Sequence, residues 1–466
     1  MNSSTMSGSC PSTSTHTFPI LDTFSVTVEA AHNPLQIPLE CLFSMAARIN
    51  KKRSFLFVSK VLGKHIPVNP YSSLLSGAAL AVLLYEDCVQ GADERISEWK
   101  RQIFRGITDA DQAQQAYQVL LDAGMLLPEK VRFVGFAETA TALGHSMYEM
   151  FKEQATYIHS TREYFPDVKP NIRFEEEHSH ATAHRCYALE REALEGTGPL
   201  VLVDDEITTG NTTLNIIRDI QRQYPRSRYY IASLLDWRTE ADERRFAELE
   251  AELGIEIIPL SLLKGKFWVQ GEPRLEPMKP IRHDAERANI NHISVADKLE
   301  YVIMESADSE GRRCSGPYVR MTGRFGIQSA DNAKLRSDLS DIAQVLRQRR
   351  RGQRTLVMGT GEFMYIPMRV AAEMGEGIYY QSTTRSPIQT IDRPDYAVVA
   401  GKSYASPEDP TVMNYIYNVV PGQYDEIFVL VERQMPKERM QPMIDALSGL
   451  GCEHIHMVYC GISEEG

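Results

Sequence analysis

Five short apolar runs rich in β-branched residues, at residues 54–58, 131–137, 156–159, 200–203 and 229–235, are separated by longer stretches with apolar residues at helical spacing. Residues 141–154 and 212–224 carry that spacing, Leu214, Ile217 and Ile220 forming one stripe. Strands alternating with helices predict a parallel sheet covered by helices. Residues 241–253 predict a charged amphipathic helix with Phe246, Leu249 and Leu253 inward and Gly254 as its C-cap. From about residue 265 to 315 the pattern loosens around Pro273, Pro277 and Pro280, which places a domain junction near 305–317. Beyond it the alternation resumes, with strands predicted at 355–358, 377–381, 396–400, 426–431 and 454–459. The expected organisation is a flexible tail over residues 1–25, one α/β domain over 26–305 and a second over 316–466.

Length agrees with two domains, because 466 residues exceed the size at which one core keeps growing. A content of 43% hydrophobic and 24% charged residues is that of an ordinary folded chain. The balance of 50 basic against 62 acidic residues, net −12, argues against general nucleic-acid binding. Arg347, Arg349, Arg350, Arg351 and Arg354 could meet a phosphate polymer, but a solvated helix end is the plainer explanation. Seven scattered cysteines without a C-x-x-C pair suit a reducing cytosol, and residues 1–18 lack the basic start and apolar run of a secretion signal. No run of about 18 apolar residues is present to span a membrane. A cytoplasmic chain without a membrane partner is expected.

The most informative segment is residues 200–212, an apolar strand ending in Asp204, Asp205 and Glu206 and turning through Thr208, Thr209, Gly210, Asn211 and Thr212 into a helix. A buried parallel strand delivers its carboxyl end to the ligand crevice of an open α/β sheet. Two adjacent carboxylates suit ribose hydroxyls or a metal-bound water, while for Glu206 the alternative is to point away and serve the fold. Hydroxyls and backbone N–H groups at a helix N-terminus suit a phosphate, and Gly210 lets the backbone approach. Neither a Walker loop nor a dinucleotide-binding glycine fingerprint is present.

This string resembles the signature of the phosphoribosyltransferase superfamily. The resemblance implies a Rossmann-like parallel sheet of the type I phosphoribosyltransferase kind. It also implies that Asp204 and Asp205 bind the ribose hydroxyls of phosphoribosyl pyrophosphate and that Thr208, Thr209, Gly210, Asn211 and Thr212 bind its 5′-phosphate. Mg2+ is implied at Asp204 and Asp205 through water or substrate. Glu138 and Thr139, opening a helix after the strand at 131–137, look like the pyrophosphate loop, though they depart from its commoner glycine-rich form. Thr161 and Arg162, ending the strand at 156–159, resemble the orotate phosphoribosyltransferase-like branch, in which a basic residue there meets pyrophosphate. Residues 164–188, with His178, His180 and His184, stand where that branch has a mobile catalytic loop; the histidines are alternatively zinc ligands or simply solvated. Lys60 and Lys64, after the strand at 54–58, offer two more cations for pyrophosphate.

The C-terminal half extends the resemblance to a bacterial family in which an orotate phosphoribosyltransferase-like domain precedes a domain named for the string Thr-Arg-Ser-Pro, here residues 384–387. That implies a setting beside tellurium-resistance stress genes and a nucleoside-like product. The residues add an internal repeat: Gly135 to Glu138 matches Gly359 to Glu362, Ser160-Thr-Arg162 matches Thr383-Thr-Arg385, and the spacings from Glu to Arg are 24 and 23 residues. The second domain is therefore expected to be a degenerate duplicate. In it Glu432-Arg433 replaces the acidic pair, and Glu362, Thr383, Thr384, Arg385 and Ser386 form a candidate anion site, unless Arg385 merely pairs with Glu362 or the stretch is a plain turn. Phosphoribosyl transfer to an unknown acceptor is the expected activity, in either direction. The alternative is a non-catalytic regulatory protein that binds phosphoribosyl pyrophosphate. A homodimer is left open. Trp237 and Trp268 are candidates to stack on a base or to fill a core.

Overall fold

The computed structural model describes residues 14–22, 24–48, 53–175, 183–273, 288–393 and 395–461. Eight strands form the first sheet, in the order Ser14–Leu21, Phe24–His32, Glu256–Gly271, Arg228–Asp236, Leu200–Ile207, Met125–Gly135, Phe151–His159 and Ile327–Gln328. The five from Glu256–Gly271 to Phe151–His159 are parallel, and the others add antiparallel at the two edges. Numbered along the chain, the parallel strands lie in the order 2-1-3-4-5, which reverses direction between Met125–Gly135 and Leu200–Ile207 and opens a crevice there. The strand Leu200–Ile207 is buried over its first four residues and part-exposed at Asp204, Asp205 and Glu206, as a strand covered on both faces and ending at a crevice should be.

The second sheet is parallel throughout, in the order Asn289–Ser294, His454–Tyr459, Glu426–Val431, Thr355–Gly359 and Ile378–Ser382. Without its first strand it repeats the order 2-1-3-4. The match extends to hydrogen bonds. Ser160 N–H donates to Gly135 O and Ala137 N–H to Ser160 Oγ, both at 2.9 Å, while Thr383 N–H donates to Gly359 O and Gly361 N–H to Thr383 Oγ1, both at 3.1 Å. Nine-residue helices follow, Ala140–Tyr148 and Tyr365–Glu373, and they pack against each other. At the sheet edges His159 N–H donates to Gly323 O, and Ser382 N–H to Gly63 O.

These edge contacts correct the expected domain limits. The strand Asn289–Ser294, assigned to the domain ending at 305, lies in the second sheet, and Ile327–Gln328 lies on the first. Residues around Gly63 and Val68 line the edge of Ile378–Ser382, so each half lends a segment to the other's sheet. One hydrophobic cluster accordingly runs through both halves. The expected tail also ends sooner than residue 25, because Ser14–Leu21 pairs with Phe24–His32. The run at 54–58 belongs to a separate hairpin, Phe43–Ala47 with Phe55–Ser59, and 396–400 forms no strand. Helix Pro70–Cys88 has no polar stripe because its surroundings bury it almost all round, so helical periodicity gives no sign of it. Helix Glu240–Leu253 ends at left-handed Gly254, as the pattern predicted. The arginine cluster caps its own surroundings: Arg347 donates to Glu373 O, and Arg354 pairs with Asp425. No helix among the described residues is long and apolar enough to cross a membrane.

Candidate active site

Val203 lies opposite Gly135 in the sheet, and Phe136 N–H donates to Val203 O at 3.0 Å, so the two chains leave the switch point side by side. From one strand come Asp204 and Asp205, with Asp205 N–H donating to Asp204 Oδ1 at 2.9 Å. Glu206 pairs with Arg53 at 2.6 Å and serves the hairpin instead. Gly210, at φ 72°, caps the helix Asn211–Gln223. A Cβ there would lie 2.5 Å from the Phe246 ring, so both conformation and space require glycine. Around it Thr208, Thr209, Asn211 and Thr212 are part-exposed, and Asn211 N–H donates to Thr209 Oγ1 at 3.4 Å. The result is a cradle of hydroxyls and helix-start N–H groups that can take a phosphate.

Across the crevice Glu138 and Thr139 are buried. Lys64 donates to the Thr139 hydroxyl and lies 3.9 Å from Glu138, and Arg162 Nη1 lies 3.1 Å from Glu138 Oε2. Burial works to raise the Glu138 pKa, but the charges of Lys64, Arg162 and Arg385 and the Thr384 hydroxyl outweigh it and hold the group below its ordinary value. An ionised Glu138 therefore gathers Lys64 and Arg162 beside it, cations of the kind a polyanionic leaving group needs.

Sequence reasoning missed two partners of Arg162. Buried His184 places Nε2 3.4 Å from Arg162 Nε, and its Nδ1 lies 3.2 Å from Ser160 Oγ. Glu362 arrives from the second half and accepts from Thr161 Oγ1 at 2.6 Å and from Arg162 N–H at 2.8 Å. The only sequence signal for Glu362 was the repeat, because Glu138 and Glu362 occupy matching positions and each approaches the other half's Thr-Arg pair.

Other expected residues fall elsewhere. Lys60 is exposed beside Cys41 and has no described contact with the Glu138 group. His178 and His180 lie outside the described residues; the flanking strands Ile172–Glu175 and Ala183–Cys186 form a hairpin packed against helix Asn211–Gln223. Trp237 stacks on Phe57 with ring centroids 4.6 Å apart and fills the core, whereas Trp268 is exposed. Of the residues expected to form a second anion site, Glu362, Thr383, Thr384, Arg385 and Ser386, Glu362 and Arg385 line one cleft. Glu362 is turned to Thr161, Thr383 holds Gly361, and Thr384 pairs with Tyr415 while its hydroxyl accepts from Ser386 N–H. Arg385 makes no ion pair with Glu362; that carboxylate has Arg324 3.9 Å away.

Among the described residues no group of three or more His, Cys, Asp or Glu side chains could enclose a metal ion. Asp204 and Asp205 form an open acidic pair, which suits a Mg2+ that keeps several waters and takes further oxygens from a substrate.

The chain matches the phosphoribosyl transferase family over residues 42–266 and, over residues 321–447, the TRSP domain found C-terminal to it. No curated protein matches it. Similar solved structures include adenine phosphoribosyl transferase from Trypanosoma brucei, at 10% identity and TM-score 0.29 over 59% of this chain and 95% of that one. Orotate phosphoribosyltransferase from Aeropyrum pernix matches at 18% identity and TM-score 0.19, over 32% of this chain and 72% of its own. The orotate phosphoribosyltransferase of Mycobacterium tuberculosis H37Rv matches at 16% identity and TM-score 0.18, covering 32% and 70%.

Proposed function

Because the chain belongs to the phosphoribosyltransferase superfamily, with a TRSP domain in its C-terminal half, we propose that its first half transfers the 5-phosphoribosyl group of phosphoribosyl pyrophosphate to a small acceptor. One observation supports this reading: Val203, just before the acidic pair and the Gly210 cradle, lies opposite Gly135, just before the Glu138 loop on which Lys64 and Arg162 converge. Asp204 and Asp205 accept hydrogen bonds from the ribose hydroxyls. Thr208, Thr209, Gly210, Asn211 and Thr212 hold the 5′-phosphate. Lys64 and Arg162 face the pyrophosphate, where charge accumulates as the bond from C1 to the pyrophosphate oxygen breaks and that oxygen keeps the electron pair. The acceptor's lone pair forms the new bond at C1, and its proton passes to solvent. Held by Asp204 and Asp205, Mg2+ would neutralise part of the substrate's negative charge. Catalysis by this set is positioning and electrostatic stabilisation.

The test is incubation of the full chain with phosphoribosyl pyrophosphate, Mg2+ and a bacterial metabolite extract, following pyrophosphate release and new masses. Release that disappears in Asp204→Asn with Asp205→Asn supports transfer. Tight binding without release under any extract would favour the non-catalytic regulatory reading. A cytosolic role in tellurium-resistance stress belongs to the same proposal; unchanged tellurite tolerance in a strain carrying the double substitution would remove that part.

A further inference from the structure

A second cleft opens at the carboxyl ends of the second sheet, where Arg385, Tyr404, Asn414, Arg433, Met440 and Met443 are among its lining. It corresponds by the repeat to the transferase crevice, yet it cannot hold the same substrate, since Glu432 and Arg433 stand where the first half has its acidic pair and phosphate cradle. Two of its three guanidiniums are already matched. Arg324 lies 2.7 and 2.8 Å from the two carboxylate oxygens of Glu432, and Arg433 donates to Glu163 at 2.7 Å and packs over Tyr318. Arg385 has no ion pair within 4.0 Å among the described residues.

Two buried polar atoms in the lining are also unmet. Tyr404 is 3% exposed and Asn414 4%, and neither the Tyr404 hydroxyl nor Asn414 Oδ1 makes a well-formed hydrogen bond among the described residues, although Thr383 and Asn414 itself lie close to the former. Leaving such groups unpaired in a folded chain is costly, so their shared place in the lining of one cleft points to a ligand. We propose that this cleft binds a small carboxylic acid that bears a neighbouring hydroxyl or amino group. The carboxylate meets the Arg385 fork, for which its planar geometry is the match. The hydroxyl or amino hydrogen meets Asn414 Oδ1, with Tyr404 beside it, and Met440 and Met443 form an adaptable apolar wall.

Charge and size set the class. Glu163, Glu362, Glu408 and Glu432 against Arg324, Arg385 and Arg433 leave the lining one negative charge in excess, which disfavours a phosphate dianion and tolerates a monoanion or a zwitterion. A cavity volume of about 40 Å³ limits the ligand to a small molecule and is too little for a nucleotide. This inference goes beyond the transferase reading and does not rest on it.

Calorimetric titration of the full chain with L-serine, lactate, acetate and inorganic phosphate tests it. L-serine or lactate should bind, with acetate at least tenfold weaker for want of a donor to Asn414. Arg385→Gln should weaken the binding tenfold or more, and so should Asn414→Leu, which removes the acceptor of the ligand's hydroxyl or amino hydrogen. Melting curves establish that both variants are folded. The proposal is overturned if neither L-serine nor lactate binds, if acetate binds equally well, if both variants bind as the wild type does, or if phosphate is the tightest Arg385-dependent ligand.

Discussion

Glu362 joins the two halves at the most demanding point of the first site, and its removal has a calculable cost. Its side chain is 9% exposed and accepts two hydrogen bonds, from the hydroxyl of Thr161, itself fully buried, and from the Arg162 N–H. Hydrogen bonds to a charged group contribute about 1.5–3 kcal/mol each, so Glu362→Ala should cost roughly 3–6 kcal/mol and leave both donors unmet. Glu362→Gln keeps the shape and one acceptor oxygen and should cost about half as much. Urea denaturation of the full chain measures it, with fluorescence following the first half, which holds all three tryptophans, and circular dichroism following both halves. A single transition is expected, because one hydrophobic cluster spans the halves. The same substitution frees Arg162, so pyrophosphate affinity should fall about tenfold, about 1.4 kcal/mol. Glu362→Ala within about 0.5 kcal/mol of the wild type, binding pyrophosphate equally well, would refute the bracing role.

Lys64→Ala should weaken pyrophosphate binding about tenfold in calorimetry and also lower the melting temperature, since buried Glu138 loses one of the cations that offset its burial. Gly210→Ala should destabilise by about 1–3 kcal/mol, from its positive φ and the Phe246 contact, read as a fall in melting temperature. Burial first, and the nearby Arg324 charge second, push the His159 pKa down to about 3. The unfolded chain then takes up a proton below pH about 6.5 that the folded chain refuses, so stability is complete above that pH and falls by roughly 1.4 kcal/mol per unit as pH drops towards 3. His159→Gln should reduce, though not abolish, the slope between pH 7 and 5, since burial also pushes the His65 and His145 pKa values down; an unchanged slope would assign the acid sensitivity to other groups.

The crevice was legible because its chemistry is contiguous. Strand, acidic pair and cradle occupy residues 200–212, and the strand-helix rhythm around them is local periodicity. The repeated topology was legible for a similar reason, from the spacing of Glu138 and Arg162 against Glu362 and Arg385. What escaped is long-range. Glu362 bonds to Thr161 across 201 residues, and no periodicity encodes that pairing; without it Glu362 looks like a ligand contact of its own half. Arg324 likewise looks like one arginine in an irregular stretch, yet it is buried against Glu432, 108 positions away. Helix Pro70–Cys88 was hidden by being apolar on every side, and the segments that cross between the sheets defeat any single domain boundary.

The central claim is that Asp204 and Asp205 hold the ribose of phosphoribosyl pyrophosphate in the switch-point crevice. Its most direct test is calorimetric titration of that compound, with Mg2+, into the wild type and into Asp204→Asn with Asp205→Asn. Both carboxylates are part-exposed at a strand end, so the double variant should fold normally. Replacing the two carboxylates should weaken binding at least a hundredfold, about 2.7 kcal/mol. Undiminished affinity in the folded double variant would contradict the account and place the ribose elsewhere.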